Sequence, residues 1–228
     1  MTVQVYQCIR FGSVTGLAVP LLGLLAIYLA SSTTRAAGAP LEGRVKPDFL
    51  HLPFWGAVVV KHYARGGWLR LINRRCHLRS RRSRSQAEFE MLLTLRSLGF
   101  DVPRPLAWAE RGRIWVHTWL IMEERPHVKT LAEIAQADGS RARALLPRIA
   151  ELVARLVAHQ IHHIDLHPGN VLIDPQDRIC LIDFDKTSHV KLSASELAGR
   201  YRRRWQRAVT KHGLPAWLGE EFQIPAPV

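Results

Sequence analysis

At 228 residues the chain is long enough for one domain or two small lobes, and 47% hydrophobic with 22% charged residues excludes a disordered polymer. Lys and Arg number 32 against 19 Asp and Glu, a formal net charge of +13, so the surface attracts polyanions: nucleic acid, anionic lipid headgroups or phosphorylated glycans. The cysteines Cys8, Cys76 and Cys180 are scattered, odd in number and without metal-ligand spacing, which excludes a disulfide scaffold and points to a reducing compartment.

In chain order, Phe11 to Thr34 carries no charged side chain, and its apolar centre, Val14–Ala30, is interrupted by Pro20. Three readings stay open here: a membrane anchor at the lower limit of length, a cleaved signal peptide, or an ordinary N-terminal helix. The Lys/Arg excess that follows would keep the body of an anchored chain cytoplasmic. Thr33–Pro40 is a linker. Ala57–Val60 has the apolar run of a buried strand, and the Gly66-Gly67 pair breaks it. After an arginine-rich stretch, the spacing from Gln86 to Leu98 predicts a helix closed by Gly99. Val102-Pro-Arg-Pro105 is extended, because each proline disfavours helix before it. Ile114–Met122 is apolar and strand-like, and Thr130–Ala137 reads as a short helix. Ile149, Leu152, Val153, Leu156 and Val157 recur at helical spacing, with Pro147 expected in the first turn. Val171–Ile173 and Ile179–Ile182 flank the turn sequence Asp174-Pro-Gln-Asp177, a hairpin. Leu197, Tyr201, Trp205 and Val209 form the apolar stripe of a last, very basic helix. Strands with one helix, followed by helices around a hairpin, predict two α+β lobes.

The chemistry concentrates in His163-Ile-Asp-Leu-His-Pro-Gly-Asn170 and Leu181-Ile-Asp-Phe-Asp185. The hairpin should fold Asp183 back beside the loop that carries Asp165 and Asn170. An Asn carbonyl and an Asp carboxylate are hard oxygen ligands suited to Mg²⁺. Asp165 is a second carboxylate, able to take a proton from an attacking hydroxyl. Positioning, metal neutralisation and a base are what phosphoryl transfer needs.

These motifs resemble the protein-kinase-like superfamily, and more narrowly the lipopolysaccharide core kinases, which phosphorylate Kdo or heptose. The narrower resemblance rests on Val60-Lys-His-Tyr-Ala-Arg-Gly-Gly67, Ala87-Glu-Phe89, Gly99-Phe-Asp-Val-Pro-Arg-Pro105, Leu120-Ile-Met-Glu-Glu-Arg125 and Asp183-Phe-Asp-Lys186, and covers about Leu41 to Gly213. It implies an α+β, two-lobed protein-kinase-like fold with a reduced C-terminal lobe: residues 1–40 a hydrophobic segment and linker, 41–125 the N-lobe, 126–228 the C-lobe. The active site would lie between the lobes. Lys61 matches the lysine that holds the α/β-phosphates of ATP, and Glu88 its helix partner, with Glu90 as rival. Met122, Glu123 and Glu124 match the hinge facing adenine, Asp165 the catalytic base, Asn170 and Asp183 the Mg²⁺ ligands. The acceptor implied is a lipopolysaccharide core or lipid A precursor, taken at the cytoplasmic face of the bacterial inner membrane; no obligate protein partner is implied.

Departures from the family pattern keep alternatives open. No G-x-G-x-x-G precedes Lys61, Asp185 replaces the Gly of D-F-G, and Ile164 replaces the usual Arg of the catalytic loop. The short tail after Asp185 disfavours protein substrates. His167-Pro-Gly169 also resembles aminoglycoside and choline phosphotransferases, and the missing glycine loop is compatible with a membrane-tethered pseudokinase. Two basic runs stand out: Arg70, Arg74, Arg75, Arg79, Arg81, Arg82 and Arg84, then Arg200, Arg202, Arg203, Arg204, Arg207 and Lys211. Neither accompanies a nucleic-acid reader motif, so a solvated face or contact with an anionic membrane surface and its glycolipids is preferred.

Overall fold

The computed structural model describes residues 6–11, 14–18, 47–52, 56–63, 77–78, 82–112 and 115–226. The chain divides into two compact units. One holds the described residues up to Leu93 together with Arg104–Glu124; the other holds Thr94–Pro103 and the chain from Arg125 onward.

The strands β1 (Gln7–Phe11), β2 (Val14–Ala18), β3 (Asp48–Leu52), β4 (Gly56–His62) and β5 (His77–Leu78) of the first unit precede helix α1 (Arg84–Ser97), which belongs to it as far as Leu93, and β6 (Pro105–Arg111) and β7 (Trp115–Glu123) follow. The antiparallel sheet runs β1-β2-β6-β7-β4-β3, with β5 paired to β7. Strand β6 is central, and its residues from Pro105 to Glu110 are all buried. Period-2 alternation sends Val58 and Val60 of β4 into a core with Leu106, Ala109, Trp119 and Ile121, leaving Lys61 on the other face.

The β1–β2 hairpin corrects the reading of the uncharged N-terminal run. Its first residues, Val14–Ala18, pair with β6, with Gly16 opposite Ala109. A Cβ at Gly16 would sit 2.1 Å from the Trp108 carbonyl oxygen, so only glycine permits this approach. A spanning helix therefore cannot start at Val14, and no helix among the described residues is long and apolar enough to cross a membrane. The rest of that run, like Gly43, Gly66, Gly67 and most of the first basic run, lies outside the described residues.

Helix α1 starts two residues earlier than its periodicity suggested, because the Ser83 hydroxyl accepts the Gln86 N–H at 3.2 Å. Gly99, at φ +76°, ends it. The Gly99 N–H reaches the Arg96 carbonyl and the Phe100 N–H the Leu95 carbonyl, both at 3.0 Å, a Schellman closure. Thr94–Pro103, expected in the N-terminal lobe, packs with the second unit, where Leu181 N–H donates to the Asp101 carbonyl and Arg155 to that of Leu98.

The second unit continues with β8 (Lys129–Thr130), α2 (Leu131–Ala137), α3 (Gly139–Ala158), β9 (Ile161–His162), a 3₁₀ turn (Pro168–Asn170), β10 (Val171–Ile173), β11 (Ile179–Leu181), β12 (Ser188–His189), α4 (Ala194–Lys211) and α5 (Trp217–Glu220). Thr130 and Glu133 form a reciprocal capping box at the start of α2. Helix α3 begins at Gly139, capped by Asp138, so Pro147 lies in its interior rather than its first turn. The hairpin forms in the expected place: Val171 pairs with Leu181 and Ile173 with Ile179. Asp174 Oδ1 closes its turn by accepting the N–H groups of Gln176 and Arg178, each at 2.9 Å.

Candidate active site

Within the first unit, Lys61 and Tyr63 lie two residues apart, so both face α1. Lys61 Nζ is 2.9 Å from each carboxylate oxygen of Glu88, and the Tyr63 hydroxyl donates to Oε2 at 2.5 Å. Glu88 is 1% exposed while the Lys61 side chain keeps 23%, so the carboxylate is buried with its partners and the ammonium still reaches outward. Glu90, the rival for Lys61, instead accepts from Gln86 and pairs with Arg82. Tyr63 was not singled out by sequence; the i, i+2 relation to Lys61 was the available signal.

Met122 and Glu123 end β7, and Glu124 follows as the last residue of the first unit. The Glu123 N–H donates to the Arg104 carbonyl at 2.9 Å and the Glu124 N–H to that of Ala57 at 3.0 Å. Arg104 Nε also meets the Glu123 carboxylate at 3.1 Å. These two amides are therefore already bonded within the first unit.

The second unit assembles the other candidates. His163 is buried, with Nε2 donating to the Ile182 carbonyl at 2.9 Å and its ring 4.5 Å from that of Phe184. Burial pushes its pKa down to about 4, against the raising influence of the Ile182 bond and of Asp183 and Asp165. It is therefore a neutral structural pin tying the loop to the end of the hairpin. The Tyr201 hydroxyl of α4 donates to the Ile161 carbonyl at 2.7 Å and accepts the His163 N–H at 2.8 Å, a second pin.

Between these pins the loop turns on itself. Asn170 Nδ2 donates to the Asp165 backbone carbonyl at 3.0 Å, which turns its Oδ1 the other way. The Ile182 N–H donates to the Asn170 carbonyl at 3.1 Å, bringing Asp183 alongside. Asp183 is exposed and adopts φ +65°, a left-handed conformation that Asp tolerates better than most residues. Asp165, Asn170 and Asp183 are thus gathered at one end of the β10–β11 hairpin, as the motif spacing predicts. His167 accepts the Gly169 N–H on Nδ1 at 3.0 Å; burial, with Arg204 and His212 acting the same way, lowers its pKa to about 4.

Two cations near Asp165 were not assigned a role from sequence. Arg204 of α4 comes within 3.5 Å of its Oδ1 and Lys186 within 3.7 Å of Oδ2. Lys186 follows the Asp183-Phe-Asp motif directly, and Arg204 was one charge in a run.

The sheet with a buried lysine–glutamate pair, and the hairpin-ended loop of Asp165, Asn170 and Asp183, define a protein-kinase-like chain. The profile of the lipopolysaccharide kinase (Kdo/WaaP) family matches residues 39–211, most of the sequence. The chain belongs to that family. Among curated proteins it is similar to the 3-deoxy-D-manno-octulosonic acid kinase of Vibrio cholerae, 30% identical over 171 residues covering 72% of each chain. It is 36% identical to that of Vibrio vulnificus over 147 residues, 63% of this chain and 61% of the relative. The kinase of the same description from Stenotrophomonas maltophilia is 33% identical over 172 residues, 74% of this chain and 68% of the relative.

Proposed function

We propose that the protein is an ATP-dependent kinase that transfers the γ-phosphoryl group to a sugar hydroxyl of the lipopolysaccharide inner core, the acceptor sugar being 3-deoxy-D-manno-octulosonic acid. The gathering of Asp165, Asn170 and Asp183 on one pinned loop carries this reading, and the family membership and the description shared by the relatives support it.

Asp165 is the base that receives the proton of the attacking hydroxyl, and Arg204 and Lys186 flank its two carboxylate oxygens. Lys61, steadied by Glu88 and Tyr63, is the cation that holds phosphate oxygens. Met122–Glu124 form the segment that faces the nucleobase. The donor set of Asn170 Oδ1 and the Asp183 carboxylate is all hard oxygen and fits Mg²⁺, which when bound would neutralise phosphate charge. His163 keeps Asp183 and the loop in register without exchanging a proton near neutral pH.

The work would be done at the cytoplasmic face of the inner membrane. ATP is available there, and a net charge of +13 attracts anionic headgroups at about 1 kcal/mol for each basic residue near the surface. Incubation with Mg-ATP and a panel of Kdo-lipid A, heptosylated core and soluble amino alcohols, read by mass spectrometry, tests the assignment. A single added phosphoryl group on Kdo-lipid A is expected. Phosphorylation of the amino alcohols alone would replace the acceptor class, and no transfer to any of them would return the chain to a binding role.

A further inference from the structure

Helix α4 carries two faces. Leu197, Tyr201, Trp205, Ala208 and Val209 are buried, while Arg200, Arg203, Arg204, Arg207 and Lys211 fall at i, i+3, i+4, i+7 and i+11 and share the other side. That basic side is one wall of an open groove of about 570 Å³, completed by His162 of β9 and Ile164 of the loop that follows. The basic run is therefore folded against the loop.

Its charges are unevenly spent. Arg200 pairs with Glu196 at 3.1 Å and Arg204 approaches Asp165 at 3.5 Å. Arg203, Arg207 and Lys211 have no carboxylate within ion-pair distance among the described residues, so the groove holds uncompensated positive charge. Ile164, 41% exposed, is an apolar side chain standing in this basic setting, next in sequence to Asp165. Burial, then Arg200, lowers the His162 pKa, so its ring enters the groove neutral. Guanidinium groups, an apolar contact and a carboxylate base in succession describe a small, anionic, partly apolar ligand.

We infer that this groove is the acceptor subsite, in which Arg203 and Arg207 bind the carboxylate of a sugar acid and Ile164 packs against its ring, so that a ring hydroxyl is delivered to Asp165. The inference deepens the kinase reading above and rests on it for the identity of the sugar. Arg204 belongs to both sites: it reaches the base and lines the groove, so it ties acceptor docking to the carboxylate that receives the proton. Planar guanidinium matches carboxylate two-point geometry, which suits arginine better than lysine to this task.

The test uses Arg203→Gln with Arg207→Gln, two exposed positions outside the catalytic set, in the full-length protein. With Kdo-lipid A as acceptor, KM for acceptor should rise at least tenfold while KM for ATP stays within twofold. Kdo-lipid A whose Kdo carboxylate is methyl-esterified should be a poor acceptor for the wild type, and the double variant should add little to that deficit. An unchanged acceptor KM, or one raised equally for acid and ester, overturns the proposal. So does a loss that follows removal of the lipid A phosphates rather than esterification, which would make the arginines a lipid-headgroup contact. Binding of free Kdo and of its methyl ester, followed by calorimetry, separates the two levels of the reading. If no acceptor is phosphorylated, the kinase assignment fails, yet carboxylate-dependent binding lost in the double variant still upholds the groove; absence of such binding ends it.

Discussion

Lys61 and Glu88 meet across 27 residues of sequence, with the ammonium equidistant from both carboxylate oxygens at 2.9 Å. Their burial is unequal, and this makes their replacements unequal. Lys61→Ala removes the cation from a carboxylate that is 1% exposed, whereas Glu88→Gln leaves a lysine that can turn to water. Loss of one partner of a buried pair costs about 3–5 kcal/mol, so Lys61→Ala should approach that and Glu88→Gln fall well below it in urea unfolding. In turnover both should be severe and non-additive when combined. Glu90→Ala should be nearly silent, and a loss there as large as at Glu88 would contradict the pairing.

Asp165 and Asp183 should separate kinetically. Asp165→Asn removes the proposed proton acceptor but keeps the loop, so turnover should fall by roughly 10²–10⁴ with nucleotide affinity nearly intact. Asp183→Asn keeps the left-handed backbone, which Asn also tolerates, and removes the charge proposed to hold the metal. Its defect should therefore appear in Mg-ATP binding, measured by fluorescence or calorimetry with and without the ion.

Acid should weaken the second unit through His163. Its folded pKa of about 4 lies below the roughly 6.5 of an unfolded histidine. Below 6.5 the unfolded chain takes up a proton that the native state refuses, so stability is complete above that pH and declines as pH falls towards 4. The shift is worth about 3 kcal/mol over that window, with His167 adding in the same direction. Unfolding of His163→Leu should start lower at pH 7, having lost the Ile182 bond, but vary less between pH 7 and 4.5. A variant curve parallel to wild type would assign the acid loss to other groups.

Gly16 distinguishes a sheet from an anchor. Gly16→Leu makes the N-terminal run more apolar, which a membrane segment would accept, but its Cβ would collide with the Trp108 carbonyl. Overpacking of this kind costs about 1–3 kcal/mol, visible in thermal unfolding of the purified protein. Unaltered stability would mean that β2 does not pair with β6 as described.

Local patterns announced the local structure. The Asp174–Asp177 turn, the Gly99 stop and the stripe of α4 each rest on residues a few positions apart, and each formed where its pattern lay. The β1–β2 hairpin did not show itself, because an uncharged run of Val, Leu, Gly and Ala suits strand or helix equally until a partner is known, and that partner, β6, is remote in sequence. The helix of Ile149–Val157 was expected to have Pro147 in its first turn; the Asp138 carboxylate, accepting the Arg141 N–H at 2.9 Å, starts it two turns earlier. The motif residues Asp165, Asn170 and Asp183 were legible because a hairpin of known length returns the chain. Arg204 beside Asp165 was not, since nothing in an arginine run says which member turns inward.

The Tyr201 hydroxyl bridges the Ile161 carbonyl and the His163 N–H from a helix that follows the entire loop and hairpin in sequence. A polypeptide leaving the ribosome therefore cannot complete the clamp on the loop of Asp165 and Asn170 until α4 has emerged and docked. Nascent chains shorter than this would have the motif residues but lack their clamp, and competence for catalysis should arrive late in synthesis, in one step with the basic groove.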